Sequence, residues 1–170
     1  MKKAWTIRKE RESDFKSIST VTREAFKNLE ISDQTEHLII NALRHAGALT
    51  ISLVAEIDGR IVGHIAFSPV TISDGTEHWY GLGPVSVLPD YQNQGIGKNL
   101  IHQGLSMLRE IGAEGCVLVG HPEYYPQFGF RNIPELIYEG VPQEAFLVLP
   151  FTDKTPEGQV VFHDAFNMKE

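Results

Sequence analysis

The residues with the clearest chemical potential lie in one stretch, VSVLPDYQNQGIGKNLI, where Gln92, Gly95, Gly97 and Lys98 separate a short apolar run from a long periodic one. Glycines at a strand-to-helix crossover remove the Cβ atoms that would hold a phosphate away, and they permit unusual φ values. The first-turn N–H groups of the following helix and its dipole favour an anion, and Lys98 adds positive charge at the rim. Two familiar phosphate loops fail here. A P-loop needs glycine at position 92 and Ser or Thr at position 99, where Gln92 and Asn99 stand. A dinucleotide fingerprint needs Gly or Ala at position 100, which is Leu100. What survives is Q-x-x-G-x-G. It reads either as a pyrophosphate cradle or as a tight turn with close helix–sheet packing.

A second group is aromatic. In HPEYYPQFGF, Tyr124, Tyr125, Phe128 and Phe130 form a cluster that reads as core packing or as a site with a phenol to donate. The single Cys116 excludes an internal disulfide and a cysteine zinc cage. Within GCVLVG it reads as a small buried hydrophobe. No His and carboxylate cluster has metal-ligand spacing, so no metal is expected.

These residues must be positioned by the elements around them. A strand is expected over residues 5–8. Ser13 can cap a helix whose apolar positions are Phe15, Ile18, Val21 and Ala25. Leu38, Ile39, Ala42 and Leu43 mark a second helix, stopped at Gly47. Residues 51–57 and 61–67 read as strands around the Asp58-Gly59 hairpin. Pro69 limits the second arm, and Ser73-Asp74-Gly75 makes another turn. Gly81 and Gly83-Pro84 demote the first half of residues 77–88, which leaves Val85, Ser86 and Val87 as the firm strand. Ile96, Leu100, Ile101, Leu105, Leu108 and Ile111 form one helical stripe ending at Gly112. Strands follow at residues 116–119, 146–149 and 159–162. The order β-αα-βββ-α-β-α-β-β predicts an α/β (α+β) mixed sheet flanked by helices, not an alternating doubly wound fold.

The chain has 170 residues, enough for one domain over 1–170 that buries roughly two-thirds of its unfolded surface. Its net charge of -7 argues against nucleic acid. No run approaches ~18 apolar residues, so no membrane span is expected. The start, MKKAWTIRKERESDF, lacks an apolar secretory region. A cytoplasmic, reduced setting fits these features.

LGPVSVLPDYQNQGIGKNLI resembles the acetyl-CoA-binding motif of the GNAT N-acetyltransferase superfamily, (Q/R)-x-x-G-x-(G/A). VLVGHPEYYPQFGF resembles that superfamily's next segment, a strand and short helix ending in Y-x-x-x-G-F, matched by Tyr125, Gly129 and Phe130. With the late AFLVLPF strand, the chain looks most like the YhbS-type predicted acetyltransferases. The resemblance implies the GNAT fold, with a central, mostly antiparallel mixed sheet. It implies acetyl-CoA as cosubstrate and transfer to a primary amine of a small molecule or peptide. The loop amides of Gln92, Asn93, Gln94, Gly95, Ile96, Gly97 and Lys98 would bind the pyrophosphate. Those of Val85, Ser86 and Val87 would bind the pantetheine arm and thioester carbonyl, and Tyr125 would be the general acid.

The base is left open among a water relay, Glu77, His78, His64 and His121, because GPVSV carries no glutamate. The acceptor side would come from residues 26–38, with Asn28, Glu30, Asp33, Glu36 and His37, and from a late hairpin. The alternative function is a non-catalytic acyl-CoA-binding module. The oligomeric state stays open between monomer and homodimer.

Overall fold

The computed structural model describes residues 4–30 and 32–168; the two N-terminal lysines, Lys2 and Lys3, lie outside them. Strands β1 (Thr6–Lys9), β2 (Ile51–Ile57), β3 (Arg60–Ile72), β4 (Trp79–Val87), β5 (Gly115–Val119) and β7 (Phe146–Pro150) form one sheet in the order β1-β2-β3-β4-β5-β7. Strand β8 (Gly158–Phe162) pairs with the far end of β3, and the short β6 (Leu136–Ile137) pairs with β8. The path is antiparallel except for β4 beside β5. This is the expected mixed sheet.

Helices α1 (Phe15–Phe26) and α2 (Glu36–His45) pack together, with α1 against β3 and β4. Helix α3 (Ile96–Glu110) lies against β2, β3 and β4. Its stripe of Ile96, Leu100, Ile101, Leu105 and Leu108 is buried, as the 3.6-residue period demands. Ile111 is not part of it. The helix stops one residue earlier, and Ile111 is 56% exposed.

Several local expectations are corrected. Ser13 does not cap α1: it sits inside the short turn Glu12–Asp14, where the Asp14 carboxylate accepts from the Arg11 N–H at 2.7 Å. Arg8 grips the same carboxylate at 2.7 and 3.0 Å. Pro69 does not end β3. The partner on that edge changes there, from β2 ending at Phe67 to β8 beginning at Val70, so the missing N–H falls between partners. Gly81 does not weaken β4 either. A Cβ on it would lie 2.5 Å from the Phe162 ring, so the glycine admits a close neighbour. Strand β4 therefore runs from Trp79 to Val87, and only its pairing with β3 is irregular, at Gly83-Pro84, which have no register partner there. No late hairpin forms among the described residues, because β7 pairs with β5 whereas β8 pairs with β3 and β6.

Cys116 is buried, and burial pushes its thiol far above the ordinary range. No described helix is long and apolar enough to cross a membrane.

Candidate active site

Strands β4 and β5 are paired only from Trp79 to Gly81 against Gly115 to Val117. Beyond that point they part, and the edge of β4 that faces β5 is open. Which residues use that edge follows from the hydrogen-bond alternation of an antiparallel pair. The Leu88 N–H donates to Val62 O at 2.9 Å. Ser86, two residues back and opposite His64, therefore turns its peptide groups toward β3. Val85 and Val87 turn theirs into the opening. The expectation that Ser86 offers its amide to a ligand is corrected by this register; only its neighbours can.

The loop after β4 continues the same wall. Gly95 adopts φ 101° and Asn93 φ 64°, the left-handed region that glycine and asparagine tolerate. The first helical bond runs from Asn99 N to Gly95 O at 3.0 Å. The N–H groups of residues 93–98 have no intramolecular acceptor among the described residues. Gln92 is different: its N–H donates to Pro89 O at 3.3 Å, while its side-chain Nε2 donates to Val87 O at 2.9 Å. Gln92 thus ties the loop to the strand rather than adding an amide to it.

The glycines can now be separated by role. Added Cβ atoms at Gly104 and Gly115 would collide with the rings of Phe67 and Trp79, so those two serve packing. At Gly97 a Cβ would meet only Val87 Cγ2, at an ordinary 3.7 Å. Close helix–sheet packing therefore does not explain Gly97.

Val85, Ser86, Val87, Gln92, Asn93, Gly95, Ile96, Gly97 and Lys98 line one groove of about 480 Å³. Tyr91, Ile101, Tyr124 and Tyr125 complete its wall, and Gln94 does not reach it. In a chain of net charge -7, Lys98 is the one charged side chain on that wall among the described residues. An open strand edge, a run of unpaired amides, a helix N-terminus and one cation suit an extended ligand with an anionic middle.

Tyr125 enters from the short turn Tyr125–Phe128. Its ring packs edge-on to Tyr124 and Phe130, with centroids 5.0 and 6.0 Å away. Gly120 makes room for it, since a Cβ there would lie 2.5 Å from Tyr125 Cε2. Burial, with a smaller contribution from Tyr124, pushes the Tyr125 hydroxyl up to about 12. It stays protonated at neutral pH, the state a general acid requires.

The candidate bases are scattered. Glu77 and His78 are exposed before the start of β4, at the end away from the groove. His64 is fully buried, and burial lowers its pKa to about 4. The carbonyl of His121 accepts from Tyr124 and Tyr125, but its exposed side chain is not part of the groove wall. Among the described residues no group of three or more His, Cys, Asp or Glu converges as a metal site would.

On the acceptor side, a pocket of about 390 Å³ between α1 and the α1–α2 connection includes Glu36 and His37. Glu36 is engaged by the Ser32 hydroxyl at 2.7 Å, and Arg23 and Lys27 share the pocket. Asn28, Glu30 and Asp33 are exposed outside it. A larger groove of about 980 Å³ runs along α1. It shares Thr20 and Glu24 with the smaller pocket and Tyr91 with the groove beside β4. Tyr91, Ile101 and the Gln92 side-chain bond were missed in the sequence. Only the neighbourhood of the glycine motif signalled them.

The model of the acetyltransferase (GNAT) family matches residues 10–130. The Escherichia coli (strain K12) protein described as uncharacterized N-acetyltransferase YhbS is 35% identical over 126 residues, covering 74% of this chain and 72% of its own. A GNAT family acetyltransferase from Brucella melitensis, solved in complex with acetyl-CoA, superposes with a TM-score of 0.87 at 48% identity, covering 97% of this chain and 99% of that one. The structure of Escherichia coli YhbS in complex with CoA gives a TM-score of 0.90 at 31% identity, covering 99% and 94%. The order of strands, the parted β4 and β5, and the match over most of the chain agree: this chain belongs to the acetyltransferase (GNAT) family, and is an acyltransferase by that membership.

Proposed function

We propose that the chain is an N-acetyltransferase that binds acetyl-CoA in the groove beside β4 and moves its acetyl group directly to a primary amine of a small molecule or peptide. The observation that carries this reading is the continuity of one wall. The open amides of Val85 and Val87 run into those of Asn93 and residues 95–98, with Lys98 and Tyr125 on the same wall. The Brucella melitensis relative, solved with acetyl-CoA, supports the choice of ligand.

In this reading the loop amides and Lys98 hold the pyrophosphate, and the edge of β4 pairs with the pantetheine arm. The amine nitrogen attacks the thioester carbonyl, forming a C–N bond and leaving negative charge on oxygen. An amide of Val85 or Val87 stabilises that oxyanion; losing one comparable donor costs about 3 kcal/mol. The intermediate collapses with cleavage of the C–S bond, and the departing thiolate takes the Tyr125 proton. The proton shed by the amine returns to Tyr125 through water in the open groove. The acceptor approaches the Val85 and Tyr125 end of this groove; the α1 groove shares Tyr91 with it, next to the pyrophosphate loop.

A thiol-reactive dye measured against a panel of amines tests the proposal. The expected result is CoA release that depends on the amine. Tight acetyl-CoA binding with no amine-dependent release on any member would replace it with a non-catalytic acyl-CoA-binding module.

A further inference from the structure

A polar chain, buried at Ser52, His64 and Ser86 and half-buried at Arg44 and Glu10, crosses the sheet on the face turned away from α3. A Cβ on Gly63 would touch Ile96 and Leu100 of α3, so the next residue, His64, points to the opposite face. Arg44 of α2 holds Glu10 through Nη2 to Oε1 at 2.7 Å and Nε to Oε2 at 2.9 Å. Ser52 Oγ lies 2.6 Å from Glu10 Oε1 and 2.7 Å from His64 Nε2.

Chemistry fixes the direction of each bond. Burial opposes ionisation of Glu10, but the bonds from Arg44 and Ser52 outweigh it and hold the carboxyl below its usual range. An ionised carboxylate only accepts, so Ser52 donates to it. The Ser52 oxygen then accepts from His64 Nε2–H. His64 is therefore the Nε2–H tautomer, and its Nδ1 carries a bare lone pair, fully buried and without a donor in reach.

Strand β4 supplies the complement. Ser86 is the register partner of His64, is 2% exposed, and has an Oγ that is also buried and unpartnered. Side chains of directly opposed residues have Cβ atoms about 4.5–5.5 Å apart, a gap that one rotamer change or one enclosed water spans.

We propose that the Ser86 hydroxyl donates to His64 Nδ1, directly or through one enclosed water, and that the resulting chain Arg44–Glu10–Ser52–His64–Ser86 makes His64 a positioning residue for the cleft edge of β4. Ser86 lies between Val85 and Val87, the two residues that turn their amides into the groove. Donors to a developing oxyanion act only when held in place beforehand. The chain anchors that segment of β4, through β3 and β2, to the ion pair between Arg44 of α2 and Glu10 just after β1. This role rests on the reading of Val85 and Val87 as the thioester edge given under Proposed function.

The test uses the full chain, two single variants and their double. Ser86→Ala removes the donor; His64→Gln keeps a donor toward Ser52 and removes the acceptor. Imidazole ¹⁵N NMR of the wild type is expected to give a neutral Nε2–H ring, with an Nδ1 signal that moves in Ser86→Ala. In steady-state assays Ser86→Ala and His64→Gln each lose about tenfold in kcat, with KM for acetyl-CoA within about twofold. Their double variant is no worse than either, as members of one chain should be. An Nδ1–H tautomer, an Nδ1 signal indifferent to Ser86→Ala, unchanged kcat in both variants, or additive losses would overturn the proposal. If wild-type protein transfers no acetyl group, the NMR result still decides the bond, and that failure belongs to the proposed reaction.

Discussion

Gln92 Nε2 donates to the carbonyl of Val87 at 2.9 Å, so the first residue of the glycine loop is fastened to the last residue of β4. The bond sets the loop amides relative to the strand edge, although Gln92 contributes no free amide of its own. Gln92→Ala leaves Val87 O at an open edge where water replaces the lost donor. Its cost is that of one net hydrogen bond, about 0.5–1.5 kcal/mol. Acetyl-CoA affinity by calorimetric titration should fall roughly three- to tenfold, with the melting temperature little changed.

Gly97 is the sharper probe of the cradle. Its backbone is helical and its Cβ direction is open. Gly97→Ala should therefore fold and gain a few tenths to 1 kcal/mol in chemical denaturation, the usual helix gain. Gly97→Glu should fold too, but it sets a carboxylate beside the anion site. Like charges ~4 Å apart repel by about 4 kcal/mol at an effective dielectric of 20, so acetyl-CoA affinity should drop by well over tenfold. Gly104→Ala is the opposite case. The added methyl collides with the Phe67 ring, and stability should fall by about 1–3 kcal/mol with the groove untouched.

Tyr125→Phe keeps the ring against Tyr124, Phe128 and Phe130 and removes the proton. Loss of a general acid typically costs 10²- to 10⁴-fold in kcat, with KM for acetyl-CoA nearly unchanged. Because the hydroxyl is pushed up to about 12, the wild-type rate should show no alkaline loss from this group below about pH 11. Rate profiles of wild type and variant from pH 6 to 10 check both statements. Gly120→Ala should produce a similar defect indirectly, by displacing the ring that occupies its Cβ direction.

His64 predicts a pH dependence of stability. Burial lowers its folded pKa to about 4, Glu10 opposes the shift, and Arg44 adds to it. The unfolded chain takes up a proton near pH 6.5, which the folded chain refuses. The contribution is fully present above pH 6.5 and is lost as pH falls toward 4, on the order of 3 kcal/mol in all. Melting temperatures from pH 7.5 to 4.5 should fall more steeply in wild type than in His64→Gln.

The sequence made the glycine loop and its helix legible because both depend on local chemistry. The failed positions 92, 99 and 100 excluded rival loops, and the 3.6-residue stripe located α3. What escaped was set by distant partners. Pro69 and Gly81 read as breaks, yet β8, far along the chain, supplies the strand and the ring that explain them. The register with β3 turns the peptide groups of Val85 and Val87, not those of Ser86, toward the cleft, and no local pattern encodes it. The polar residues of the α1–α2 connection were visible as polar, but only the fold shows Glu36 engaged by Ser32 and Asp33 outside the pocket.

In the proposed complex, one continuous wall of amides holds the coenzyme and presents its thioester to Tyr125. The most direct measurement is a crystal structure of this chain with acetyl-CoA bound. The pyrophosphate is expected against the N–H groups of Asn93 and residues 95–98, and the thioester oxygen about 2.7–3.1 Å from the amide of Val85 or Val87. A coenzyme whose pyrophosphate lies away from that loop, or whose thioester faces neither valine, would contradict it.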